Sequence, residues 1–215
     1  MSFRQFRILY LHGFASGPQS RKATFFSEHL RSLGFEVDVP ALDEGNFESL
    51  TISGQLRVVA RFARNERVAL IGSSLGGYIA ALYAARHSEV ERLILLAPAF
   101  QFYNLWMSSL GEDQLSEWRE RGKMNVFHYA TGRGAPIGYE LIEDASRFEP
   151  FPDFTQPALI FHGNHDASVP VQYSAEFVSA HSNARLVRLE SGHELTDVLD
   201  QIWQESKNFL MTLRL

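Results

Sequence analysis

Residues 67–77 read Arg-Val-Ala-Leu-Ile-Gly-Ser-Ser-Leu-Gly-Gly, which puts Ser74 at the centre of Gly72-Ser73-Ser74-Leu75-Gly76. A short apolar, β-branched run enters this pentamer and an Ala-rich helical pattern over 78–86 leaves it. A strand that turns at once into a helix strains the residue at the turn and presents its side chain above the sheet. Glycines two before and two after leave room for neighbouring backbone to pass close by. The pentamer alone is common by chance, and the same glycines serve an ordinary structural turn. Strand before and helix after make Ser74 a candidate nucleophile. Ser73 lacks glycine at both minus two and plus two, and is read as a residue that helps hold the turn.

The rest of the chain alternates in the same way. Near-continuous apolar runs at 7–11, 36–40, 67–71, 92–97, 158–162 and 185–190 read as strands buried on both faces of a parallel sheet. Helical patterns fill 20–33, 47–64, 75–86, 173–180 and 196–213, and Gly34 stands where the first of these needs a C-cap. The fold class expected is α/β: a mostly parallel, six-stranded, doubly wound sheet with right-handed crossovers.

One stretch breaks the rhythm. More than fifty residues separate the fourth strand from the fifth, far beyond an ordinary connection. It opens Phe100-Gln101-Phe102-Tyr103-Asn104-Leu105-Trp106-Met107, continues through a charged helical segment at 113–121 and a short hairpin over 126–137 with Thr131-Gly132-Arg133-Gly134 at its turn, and leaves through Pro150-Phe151-Pro152. Residues 100–154 are expected to be a cap inserted over the C-terminal edge of a core formed by 1–99 and 155–215, the edge where open α/β sheets bind ligands. The aromatic cluster is either the cap's own core or the lining of an acyl pocket.

A serine hydroxyl needs a general base and a group to orient that base. After the fifth strand comes His162-Gly163-Asn164-His165-Asp166-Ala167-Ser168-Val169-Pro170, and after the sixth Glu190-Ser191-Gly192-His193-Glu194. Asp166 and His193 therefore reach the same sheet edge as Ser74, in the chain order Ser, Asp, His. Taken singly, Asp166 can cap the helix after Pro170 and His193 can be a helix-entry residue; their joint placement favours the triad. A Gly-rich loop after the first strand, His12-Gly13-Phe14-Ala15-Ser16-Gly17-Pro18, can turn a backbone N–H toward the serine. With the N–H of the residue after the nucleophile, that assigns an oxyanion hole to Phe14 and Leu75.

Other assignments weigh less. His162, His165 and Asp166 have the residue types of metal ligands, but one loop closes poorly around an ion; neither a metal nor another cofactor is expected. His12 is read as shaping the oxyanion loop, and His87, His128 and His181 as surface residues. Glu190, Asp197 and Asp200 are alternative acids for His193, though none holds the post-strand position of Asp166.

The segments LYLHGFASGPQSRKA, ALIGSSLGGYIAALYA, LIFHGNHDASVP and SGHEL, in this order, resemble a small α/β-hydrolase, and the first is similar to the opening of compact bacterial esterases. The resemblance covers roughly 6–99 and 155–213. It implies a serine esterase, or an acyl thioesterase, using Ser74, Asp166 and His193. A small-peptide hydrolase also stays open, because the triad does not specify the leaving group, as does a non-catalytic ligand-binding member of the fold. The chain departs from the eight-stranded family pattern by starting at the strand before the oxyanion loop, and the match is weakest in the cap.

Composition fits this reading. With 215 residues, 45% hydrophobic and 21% charged, the chain can build one domain with an insertion. A net charge of -5 and the lack of a Lys/Arg run argue against a nucleic-acid surface, and the partner expected is a small acyl substrate. The absence of cysteine removes disulfides, thiolate metal sites and a cysteine nucleophile. No leader-like segment opens the chain and no run approaches the roughly 18 apolar residues of a membrane span, so a soluble, cytoplasmic protein is expected. If the substrate were an acyl-CoA, Arg119, Arg121, Lys123 and Arg133 in the cap are the basic residues for the pocket mouth.

Overall fold

A computed structural model describes residues 6–212. Strand β1 (Arg7–Leu11) leads through α1 (Arg21–Ser32) to the short β2 (Val37–Asp38). A single 3-10 turn (Phe47–Ser49) precedes α2 (Ile52–Ala63), then come β3 (Val68–Ser73), α3 (Leu75–Ala84) and β4 (Val90–Leu96). The long connection holds α4 (Phe102–Ser109), α5 (Glu112–Arg121), β5 (Lys123–His128), β6 (Arg133–Gly138) and α6 (Glu140–Ala145). Strand β7 (Ala158–Gly163), α7 (Val171–Ala180), β8 (Ala184–Leu189) and α8 (Leu199–Met211) complete the chain. No helix among the described residues is long and apolar enough to cross a membrane.

Six strands form a parallel sheet in the order β2-β1-β3-β4-β7-β8. Alternation along each strand divides its side chains between two apolar layers. Leu9, Leu11, Leu70, Leu93, Leu95 and Ile160 face one way, with buried residues of α2, α3 and Phe177 of α7. Ile8, Tyr10, Ala69, Ile71, Ile94 and Phe161 face the other, against α1 and α8. All ten residues of α3 are buried, because that helix is sandwiched between the sheet and α2, and its sequence is correspondingly apolar all round. The order of strands reverses between β1 and β3, since β2 lies outside β1 on one side while the chain continues outward through β3 on the other. Connections diverge at such a switch point and leave a crevice at the strand ends.

Residues between β4 and β7 do not pack as a separate body. Phe100, Phe102, Trp118, Ile137, Leu141 and Phe154 belong to the same apolar cluster as the α2–α3 face of the sheet. Polar contacts add to this attachment. Asp144 accepts hydrogen bonds from the Ser53 N–H and hydroxyl at 2.7 Å each, Tyr78 donates to the Glu149 carbonyl at 2.8 Å, and Arg86 forms a two-pronged pair with Glu149.

Several sequence expectations shift in detail. The helix expected over 47–64 is two pieces, because Leu50 turns extended and Thr51 caps α2 by accepting from the Gly54 N–H. The last helix begins at Leu199 rather than 196, and its expected end at Leu213 lies outside the described residues. The hairpin is longer than 126–137, pairing Lys123 with Gly138; Arg133 and Gly134 lie in strand, and the turn falls at residues 129–132.

A Cβ on Gly76 would overlap the carbonyl oxygens of Leu11 and His12 at the end of β1. Gly76→Ala is therefore expected to cost about 1–3 kcal/mol of stability. The unfolding midpoint should fall by roughly 2–4 °C for each kcal/mol in a chain of this size. Thermal unfolding followed by circular dichroism tests this, and an unchanged midpoint would contradict it.

Candidate active site

Ser74 follows β3 directly, with φ 53° and ψ -118°. This is strained backbone for a residue with a side chain. It persists because its surroundings over-determine it. The Ser74 N–H donates to the Leu96 carbonyl at 2.8 Å, and its own carbonyl accepts from the N–H groups of Gly77, Tyr78 and Ala99. A Cβ on Gly72 would overlap the backbone of Gly76, so the two glycines of the pentamer lie against each other.

The three residues expected from the sequence meet at this edge. The Ser74 hydroxyl lies 3.0 Å from His193 Nε2, and His193 Nδ1 lies 2.7 Å from Asp166 Oδ2. With Nδ1–H donating to the carboxylate, Nε2 is left as the acceptor for the serine proton. Glu190, Asp197 and Asp200 make no hydrogen bond to His193: Glu190 pairs with Asn164 and His165 at the surface, and Asp197 accepts from Ser191.

Asp166 is completely enclosed at its side chain. Burial alone pushes a carboxyl group up, but hydrogen bonds from His162, His193 and the Val169 N–H, together with the His193 charge, hold it well below the ordinary carboxylate range. Oδ1 accepts from the N–H groups of Ser168 and Val169 at 2.8 Å each. These donors belong to the loop before α7, whose N-cap Pro170 receives no side-chain cap, so Asp166 closes a turn of its own loop rather than capping the helix, and its other oxygen faces His193.

Two residues the sequence did not single out as site residues complete the surroundings. His162, wholly buried, sits 3.1 Å from the same Oδ2 that faces His193. Lys22, nearly buried in the first turn of α1, donates to the Glu194 carbonyl at 2.8 Å and so ties that helix to the loop carrying His193. Burial lowers the Lys22 pKa, although Glu194 acts against this. Neither contact has a sequence signature: Lys22 and Glu194 lie in segments that only the fold brings together, and His162 meets Asp166 only because the loop between them folds back.

The loop after β1 passes beside the serine: a Cβ on Gly13 would lie 3.4 Å from the Ser74 Cβ. Among the described residues, neither the Phe14 nor the Leu75 backbone N–H has a hydrogen-bond partner. His12 does shape this loop. Its Nε2 accepts from the Leu42 N–H, which leaves Nδ1 to donate to the Gly13 carbonyl, and burial keeps the ring's pKa low.

A cleft of about 710 Å³ opens over Ser74, Leu75, Phe14 and His193. Phe102, Leu105 and Trp106 of α4 give it an apolar wall, whereas residues from Ser16 to Lys22 supply a polar one. The aromatic cluster thus divides. Trp118 is buried within the inserted segment, with its Nε1–H on the Ile137 carbonyl, while Trp106 packs against both Trp118 and Phe14. Arg119, Arg121, Lys123 and Arg133 do not line the cleft; the first three engage Tyr139, Glu117 and Glu48.

The histidines expected at the surface are a correction. His128 is buried with its ring edge-on to Phe47, because the end of β5 folds against the 3-10 turn and leaves its neighbour Phe127 in solvent. His87 and His181 are half-buried, stacked on Tyr83 and Phe177.

A model of an uncharacterised protein family, UPF0227, matches residues 7–210. No curated protein matches the chain by sequence. Solved structures similar to it include alpha/beta hydrolase domain-containing protein 10 from mouse, 20% identical with a TM-score of 0.81, covering 96% of this chain and 90% of that one. Est1E from Butyrivibrio proteoclasticus with bound ferulic acid is 19% identical, TM-score 0.73, covering 95% and 90%. A structure described with the metagenome-derived lipolytic enzymes LipS and LipT is 19% identical, TM-score 0.74, covering 97% and 94%. The fold is that of the α/β-hydrolases.

A carboxylate whose pKa is depressed on folding stabilises fully above its unfolded value, near 4, and loses that contribution as pH falls toward the folded value. Asp166→Asn is therefore expected to lower the urea midpoint at pH 7, with the gap to the parent protein narrowing as the pH drops below about 4. A gap that stays constant from neutral to acid pH would show that ionisation of Asp166 contributes nothing.

Proposed function

The chain belongs to the protein family UPF0227, and we propose that it is a serine hydrolase cleaving carboxylic esters of small or medium acyl groups. The observation that carries this reading is the line from Ser74 Oγ to His193 Nε2, at 3.0 Å, and from His193 Nδ1 to Asp166 Oδ2, at 2.7 Å. It lies beside two unpartnered N–H groups in a roomy cleft.

In the reaction, His193 Nε2 takes the Ser74 proton as Oγ bonds to the acyl carbon. The carbonyl oxygen gains negative charge and is held by the N–H groups of Phe14 and Leu75. His193 returns the proton to the departing alcohol oxygen, which leaves an acyl group on Ser74. A water then gives its proton to His193, its oxygen bonds to the acyl carbon, and Ser74 recovers its proton as the acid departs. Asp166 stays ionised throughout and fixes the imidazole, a role that its depressed pKa supports. Residues 100–154 serve as the cap, with α4 as the apolar side of the pocket, a role supported by Phe102, Leu105 and Trp106 in the cleft wall.

Ser74→Ala is expected to lower kcat/KM on short p-nitrophenyl esters by at least about 10³-fold, and a fluorophosphonate probe should label the parent protein at Ser74 alone. Full activity in the variant, or no labelling of the parent, would sink this assignment. Trp106→Ala should cost about tenfold more on a hexanoate ester than on an acetate ester, since it removes apolar pocket wall rather than reacting groups. Equal losses across an acyl-length series would place Trp106 outside the acyl site.

A further inference from the structure

Asp166 is received on all sides by donors, and one of them is a side chain outside the proposed triad. Backbone N–H groups of Ser168 and Val169 take Oδ1. His193 Nδ1 and His162 Nε2 both take Oδ2, at 2.7 and 3.1 Å. A carboxylate offers about four lone-pair directions, so this set fills them.

The hydrogen on His162 Nε2 follows from its partners. Nε2 also lies 2.9 Å from the Val169 carbonyl oxygen. Both neighbours of Nε2 are therefore acceptors only, since Asp166 is held ionised, and Nε2 must carry a proton, which is hydrogen-bonded to the Val169 carbonyl with Asp166 Oδ2 beside it. Nδ1 lies 2.8 Å from the hydroxyl of Ser174, itself fully buried in α7. In the neutral ring Nδ1 has no hydrogen, so the Ser174 hydroxyl donates to it. The outcome is a buried line of polar groups, Ser174 to His162 to Asp166 to His193 to Ser74, which joins α7 to the turn after β3.

We propose that His162 is a positioning residue: a neutral imidazole in the Nε2–H form, oriented by Ser174, that holds Asp166 Oδ2 where His193 needs it. This deepens the hydrolase reading and rests on it. The contact does not follow from strand-end placement. His162 lies within β7, four residues before Asp166, and the loop has to fold back over it before the two can meet. Without the Nε2 neighbour, Oδ2 would be held by His193 alone. It would then be less firmly aimed at Nδ1 at the moment that ring becomes charged, whereas substrate binding would not be touched. The effect belongs in kcat.

The test uses the full chain with His162→Leu, His162→Gln and Ser174→Ala. The glutamine amide can offer an N–H close to the position of Nε2; leucine fills the space with no donor. His162→Leu is expected to lower kcat on a p-nitrophenyl ester, and the rate of fluorophosphonate labelling, by about tenfold or more with KM unchanged, as for loss of one hydrogen bond to a charged group. His162→Gln should recover most of that loss. Nitrogen-15 NMR of the imidazoles should find His162 protonated at Nε2 in the parent protein and less fixed in Ser174→Ala. Labelling of His162→Leu within twofold of the parent would overturn the proposal, as would a His162 protonated only at Nδ1, or a leucine variant that loses thermal stability while its folded fraction keeps the parent kcat. If the parent itself fails to label, the reading of Ser74 is at fault, and the tautomer measurement still decides the hydrogen-bond scheme around Asp166.

Discussion

The whole site depends on how closely backbone passes backbone where β1 and β3 end. The carbonyls of Leu11 and His12 lie against the α-carbon of Gly76, and Gly76 lies against Gly72. No side chain fits at either place. That crowding leaves the intervening serine no relaxed conformation, and four main-chain hydrogen bonds hold it in the strained one. Because a packed interior does not deform gradually, the hydroxyl is fixed in space before any partner is considered. The loop after β1 and the two later strands then need only reach the same edge, and parallel strands guarantee that they do.

Legibility from the sequence follows the same division. Ser74, Asp166 and His193 could be found because each sits just past the end of an apolar run, and strand ends in a parallel sheet share an edge whatever the details between them. The strands themselves were visible for a similar reason: buried on both faces, they show as unbroken runs. What escaped notice depends on distant packing. His128 reads as a polar residue among polar residues, yet β5 turns it inward against Phe47 and turns Phe127 out. The break between Phe47–Ser49 and α2 comes from Thr51 capping a helix whose first turn is also bonded to Asp144, about ninety residues away. Helix α4 shows in the sequence only as aromatic composition, because its division between cleft wall and interior depends on packing against Trp118.

Asp166 illustrates how environment, rather than residue type, assigns a role. Glu190 is as close to His193 in sequence as any acid before it, but it is exposed and its carboxylate is spent on Asn164 and His165. Asp166 instead sits where desolvation makes its charge costly, and four donors more than offset that cost. A carboxylate in this state holds its charge and its orientation together. The same enclosure explains why the polar residues beneath it, His162 and Ser174, are wholly buried without being unsatisfied.

The inserted segment touches the loop after β1 through main chain: the N–H groups of Tyr129 and Ala130 at the hairpin tip both reach the Ala15 carbonyl, one residue past Phe14. Such bonds are indifferent to side-chain identity. Substitutions at 129 and 130 can remodel the rim of the cleft freely, with proline excluded because it has no N–H to give. A change in hairpin length is another matter, since it would move both donors away from Ala15 together. Drift in sequence is thus tolerated at the tip where insertion or deletion is not, and the segment cannot be exchanged as a detachable module without re-fitting the loop beside the serine.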